Sequence, residues 1–99
     1  MITIDIYGFK WKVIYVERSE LQGSDGRTCA NDFVIKIAND MKPQATRLTF
    51  LHELTHAILS CQGRWYQSKF TQEEMCEFVA YSHSMIADIY DYYLGEEQR

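Results

Sequence analysis

Thr49-Phe50-Leu51-His52-Glu53-Leu54-Thr55-His56-Ala57-Ile58 is the stretch on which the reading of this chain turns. Before it the apolar residues alternate with polar ones; from it onward they recur at helical spacing. Within it, His52 and His56 stand four positions apart. On a helix those positions lie one above the other, so both imidazoles point the same way and are able to share one Zn²⁺ ion. Glu53 sits about 100° further round the helix, beside that point and not on it. A carboxylate there is placed to take the proton from a water that the metal acidifies. All other residues of the stretch are uncharged, and a dry wall strengthens the electrostatic action of a bound ion. This is the H-E-x-x-H pattern of zinc peptidases. The alternative is an amphipathic helix with two incidental histidines.

Working back from this point, the first forty residues read as strands. Ile2, Ile4 and Ile6 alternate with polar partners, Tyr7-Gly8-Phe9-Lys10 reads as a turn, and Lys10 to Val16 alternates again with Trp11, Val13 and Tyr15 on one face. Gln22 to Gly26 has loop composition. Thr28 to Asn31 is a candidate short strand, Asn31-Asp32 a candidate turn, and Phe33 to Ala38 a further strand. The expected fold is α+β: a small N-terminal antiparallel sheet of three to four strands, then two long helices, the layout of a minimal, gluzincin-like zincin. With 99 residues, one domain over 1–99 is expected, strands filling 1–40.

The first helix is expected over 43–61, capped by Asn39-Asp40, with Leu48, Leu51, Thr55, Ile58 and Leu59 as its buried stripe and Gly63 as its stop. Arg64 to Phe70 reads as a connector. The second helix is expected over 71–94, opened by a capping box of Thr71 and Glu74. Met75, Phe78, Val79, Ser82, Met85, Ile86, Ile89 and Tyr93 form one face of it. Small residues at Cys76, Ala80, Ser84 and Ala87 form another, where the H-E-x-x-H helix is expected to cross. The acidic end from Gly95 onward is expected to fray.

A catalytic zinc site needs a third protein ligand and an open position. Glu73, Glu74, Glu77 and His83 are the candidates. The capping box accounts for Glu74, and a lone helical histidine such as His83 is more often structural. Glu73 and Glu77 lie one turn apart, a spacing that suits one metal ligand and one carboxylate accepting the free ring N–H of a ligating histidine. Tyr81, Tyr66 and His83 are the candidate oxyanion donors.

The combination of an N-terminal sheet, Leu51-His52-Glu53-Leu54-Thr55-His56-Ala57 and Glu73-Glu74-Met75-Cys76-Glu77-Phe78-Val79-Ala80 resembles the ImmA/IrrE-type zinc metallopeptidases, above all the short versions carried by phages and integrated elements. The resemblance implies a metalloendopeptidase with Zn²⁺ held by His52, His56 and Glu73, with Glu53 as catalytic base and Glu77 behind a histidine. It also implies a protein or peptide substrate, repressor-like regulators being the substrates of larger members. Two features depart from the family. Thr55 stands where Gly often precedes the second histidine, and the Leu-Leu-x-Pro segment of larger members is missing. A catalytically silent, zinc-stabilised protein that grips a host or phage partner is the rival reading, though a purely structural site has no use for Glu53.

The net charge of −4 argues against a general nucleic-acid partner. Met1 to Ile6 has neither the basic start nor the apolar run of a signal peptide, and no membrane span is expected. Three cysteines, Cys29, Cys61 and Cys76, lack C-x-x-C spacing and read as free thiols of a cytoplasmic protein. The oligomeric state stays open.

Overall fold

The computed structural model describes residues 1–64 and 69–98. Contacts divide the chain into two compact units, Met1–Trp65 and Tyr66–Arg99. The elements are α+β in order: four strands, then two helices.

In the first unit, β1 (Ile2–Ile6) and β2 (Phe9–Val16) form an antiparallel hairpin, with Ile4 opposite Trp11 and Ile2 opposite Val13. The turn places Tyr7 at φ 53° and Gly8 at φ 87°, the double positive φ that matches the twist of a two-residue hairpin. Asp5 secures it by accepting from the Gly8 N–H at 2.7 Å and from Lys10 Nζ at 2.6 Å. After β2 the chain does not return beside it. A short 3-10 turn, Arg18–Leu21, carries it round to β3 (Gly26–Cys29), a second such turn covers Ala30–Asp32, and β4 (Val34–Ala38) then enters between β2 and β3.

The sheet order is therefore β1-β2-β4-β3, and β4 runs parallel to β2 while pairing antiparallel with β3. The sheet is mixed, not antiparallel throughout as expected. Alternation shows that a segment is a strand and which side it buries, but not which neighbour it pairs with. The direction of β4 depends on the long excursion between Val16 and Gly26. That excursion is fastened by buried Leu21 and by Arg18, whose Nε and Nη2 bind the Asp40 carboxylate at 2.9 and 2.8 Å and whose Nη1 binds Asp25 at 2.8 Å. Bidentate guanidinium–carboxylate pairing fixes orientation as well as distance. Arg18 thus ties together the start of the excursion, the entry to β3 and the turn after β4.

One face of the sheet carries Ile2, Ile4, Ile6, Trp11, Val13, Ile35 and Ile37, all buried. Against β3 and β4 on this face lies α1 (Pro43–Cys61). Its start and stop fall where the sequence places them. Pro43 occupies the first turn, where its missing N–H goes unused. At the far end Gly63 adopts φ 74°, with Gly63 N–H donating to Ser60 O at 3.0 Å and Arg64 N–H to Leu59 O at 2.7 Å, the paired bonds of a Schellman stop. The cap differs from expectation. Lys42 is the N-cap and offers no side-chain bond, since a lysine ammonium has no acceptor; Asp40, an expected cap, is instead bound by Arg18.

The buried side of α1 also differs. Thr46, Phe50, Glu53, Leu54, Ala57 and Ile58 are buried, and Leu48 is 71% exposed. The true face is rotated by roughly one residue, about 100°, from the expected stripe. Apolar residues at Leu48, Phe50, Leu51 and Leu54 support two phases, and Phe50-Leu54-Ala57 fills the space over the sheet.

In the second unit, α2 (Gln72–Glu97) opens with the expected capping box: Glu74 N–H donates to Thr71 Oγ1 at 3.1 Å, and Thr71 N–H to Glu74 Oε1 at 3.1 Å. It runs past Leu94 to Glu97 where fraying was expected. Tyr92 and Tyr93 each donate a hydroxyl bond one turn ahead, to Glu96 at 3.2 Å and Glu97 at 2.9 Å, and side-chain pairs at this spacing support the last turn. Ser82, Ile89 and Tyr93 are its buried residues. Met75 and Val79, expected on one face with them, are 57% and 59% exposed, and the small residues Cys76, Ala80, Ser84 and Ala87 are exposed too.

Candidate metal centre

Because α1 buries Phe50, Leu54 and Ala57, the positions about half a turn round project away from the sheet. Those positions are His52 and His56. Both are exposed, and their rings stand 4.9 Å apart between centroids, inclined at 71°. Glu53 falls between the two sides of the helix. Its side chain is 9% exposed against 68% for His52, and its Oε2 lies 4.0 Å from His52 Nε2. A carboxylate in this position is shielded from bulk water yet open to the histidines.

Thr28 of β3 holds it there. The Thr28 hydroxyl lies 2.8 Å from Glu53 Oε1 and 2.9 Å from the Glu53 carbonyl oxygen, and its single proton serves one of them at a time. Neither Thr28 nor its neighbour Gly26 was singled out from the sequence as part of the site. No local signal identifies Thr28, since it precedes its partner by 25 positions. Gly26 groups by composition alone with the preceding loop. It is the first residue of β3, and a Cβ there would stand 2.8 Å from Thr49 Cγ2 and 3.1 Å from Glu53 Cγ. Only glycine lets the strand pass this close beneath α1.

β3 is an edge strand of the sheet, and β4 lies inside it between β2 and β3. Ala38 N–H donates to Asp25 O at 2.8 Å, which sets the alternation of the β3–β4 ladder. Gly26 and Thr28, paired with Ile37 and Ile35, then turn their backbone N–H and C=O groups away from β4. A cleft of about 420 Å³ opens along this side, lined in part by Gly26, Thr28, Ala30, His52, Glu53 and His56. Thr55, the residue that departs from the family pattern, turns its hydroxyl to Leu51 O at 2.9 Å, within its own helix.

The other sequence-derived candidates belong to the second unit. Glu73 and Glu77 are both exposed on α2, one turn apart. Glu74 is held in the capping box. Tyr81 is 85% exposed. His83 Nδ1 lies 3.2 Å from both Val79 O and Ala80 O, so that nitrogen is engaged with its own helix. Tyr66 lies outside the described residues. Among the described residues, no group of three or more His, Cys, Asp or Glu side chains is gathered for a metal ion. His52 and His56 nevertheless fit one as a pair: two neighbouring exposed imidazoles on one helix face, with a shielded carboxylate between them and the sheet.

No family model, curated protein or solved structure matches this chain. Among the described residues no helix is long and apolar enough to cross a membrane.

Proposed function

We propose that this chain is a zinc-dependent metalloendopeptidase of the ImmA/IrrE kind, acting in the cytoplasm on a peptide bond of a regulatory protein. The observation that carries this reading is the division of labour along one helix: two histidines presented to a cleft and a buried glutamate held beside them. His52 and His56 would hold the zinc ion, with Glu73 as third ligand and Glu77 orienting a histidine ring. The chemistry a zinc ion would supply there is polarisation of a carbonyl oxygen and acidification of water.

The protein's own part follows from the geometry of Glu53. Thr28 engages Oε1, leaving Oε2, which faces His52, to take a proton from the attacking water and return it to the leaving amine. The outward N–H and C=O groups of Gly26 and Thr28 suit an extended peptide lying along β3 by strand addition. A buried glutamate between two exposed histidines has no evident use in a site that only stabilises a fold, which favours catalysis over the silent binding reading.

The test is incubation of the metal-replete protein with a diverse peptide mixture, read by mass spectrometry. New termini are expected with wild type and not with Glu53→Gln. Absence of cleavage by wild type, or equal cleavage by Glu53→Gln, would overturn the assignment.

A further inference from the structure

The face of the sheet turned away from α1 has a composition the chemistry of the cleft does not use. Strand alternation places Lys10 and Lys12 of β2, Lys36 of β4 and Arg27 of β3 there, with Asp5 of β1 the carboxylate among them. Four cations thus share one face of a chain whose net charge is −4. Asp5 is occupied by Lys10 at 2.6 Å. Among the described residues, Lys12, Arg27 and Lys36 have no ion-pair partner. None of these side chains is buried.

Their arrangement works against stability. Arg27 stands directly opposite Lys36 across β3–β4, and like charges in that relation are destabilising. Lys12 sits diagonally from Lys36, with Lys12 opposite Val34 and Ile14 opposite Lys36. The centre of the face is therefore a checkerboard of cations and aliphatic side chains, with Ile14 and Val34 half-buried.

We propose that this face docks an acidic, amphipathic segment of a partner protein, its carboxylates meeting Lys12, Lys36 and Arg27 and its apolar side chains meeting Ile14 and Val34. Charge complementarity selects an anionic partner. The class of anion follows from what stands between the cations. Sheets that bind single-stranded nucleic acid stack bases on aromatic side chains, and this face presents aliphatic ones. The chain's overall negative charge also repels a long polyanion at a distance, while a short acidic segment senses mainly the local patch within a Debye length of about 8 Å. Arg27 lines the His52–His56 cleft as well, so a partner anchored here lies beside that cleft, although the docking does not depend on what the cleft does.

The test uses the whole chain and a fluorescein-labelled peptide of glutamate, leucine and alanine with its leucines on one helical face, followed by anisotropy at low and high salt. Saturable, salt-sensitive binding is expected, weakened about tenfold by Lys36→Glu. The same substitution replaces a like-charge pair by an ion pair, so its melting temperature is expected to stay level or rise. Loss of binding by a fully folded variant separates docking from stability. No binding at low salt, undiminished binding by Lys36→Glu, or tighter binding of a single-stranded DNA oligonucleotide would overturn the proposal. Self-association abolished by Lys36→Glu, seen by sedimentation, would replace the partner by a second copy of the chain.

Discussion

Thr28 illustrates how much of the site rests on residues outside the motif. Its hydroxyl is 2.8 Å from the Glu53 carboxylate and is the described donor that fixes which oxygen faces the histidines. Thr28→Val keeps the shape and removes the bond. If the proposed function holds, the expected outcome is a ten- to hundredfold loss in peptidase kcat/KM, about the size usual for partners that orient a metal site, with circular dichroism unchanged. A rate unaltered within error would show that Glu53 needs no such positioning. Gly26 acts through space and not through a bond. Gly26→Ala inserts a methyl 2.8 Å from Thr49 Cγ2, and overpacking of this kind costs about 1–3 kcal/mol; urea denaturation measures it. His52, Glu53 and His56 were legible in the sequence because a helix converts four-residue spacing into adjacency. Thr28 and Gly26 were not, because the contact that matters to them is set by how β3 passes beneath α1.

At the scale of elements, local chemistry was readable wherever it is self-contained. Pro43 at the start of α1, Gly63 at its stop and the Thr71–Glu74 box opening α2 each act within a few residues of chain. Thr71→Ala is expected to lower stability by about 1 kcal/mol, measured by denaturant titration. The parallel pairing of β2 with β4 was not readable, since it depends on the excursion that Arg18 fastens. That fastening is electrostatic and carries a pH signature. The hydrogen bonds from Arg18 hold the Asp40 carboxyl below its ordinary range, and those from Lys10 and the Gly8 N–H do the same for Asp5. A lowered folded-state pKa means the contribution is present in full above the unfolded value, about 4 for an aspartate, and is lost as pH falls through the folded values. The melting temperature is therefore expected to fall more steeply below about pH 4 in wild type than in Asp40→Asn. Parallel acid limbs for the two proteins would remove Arg18–Asp40 from the explanation. The buried face of α1 departs from the expected stripe for a related reason. Phe50 and Leu51, or Leu54 and Thr55, are equally acceptable to a helix, and the sheet beneath chooses between them.

In the first unit, one apolar sheet face and α1 bury the core, and the outward side of α1 presents the histidines to a cleft along an edge strand. The sequence carries this division plainly up to the second histidine. Beyond it, Glu73 and Glu77, which the proposal assigns to the metal centre, sit on α2 at helical spacing. The central claim is that His52 and His56 hold one zinc ion. The direct measurement is metal content per chain by elemental analysis of metal-replete, desalted protein, for wild type beside His56→Ala, Glu73→Ala and Glu77→Ala. About one zinc per chain in wild type is predicted, as for a single tetrahedral centre, abolished by His56→Ala and reduced more by Glu73→Ala than by Glu77→Ala. Wild-type protein without stoichiometric zinc, or zinc that survives His56→Ala, would contradict it.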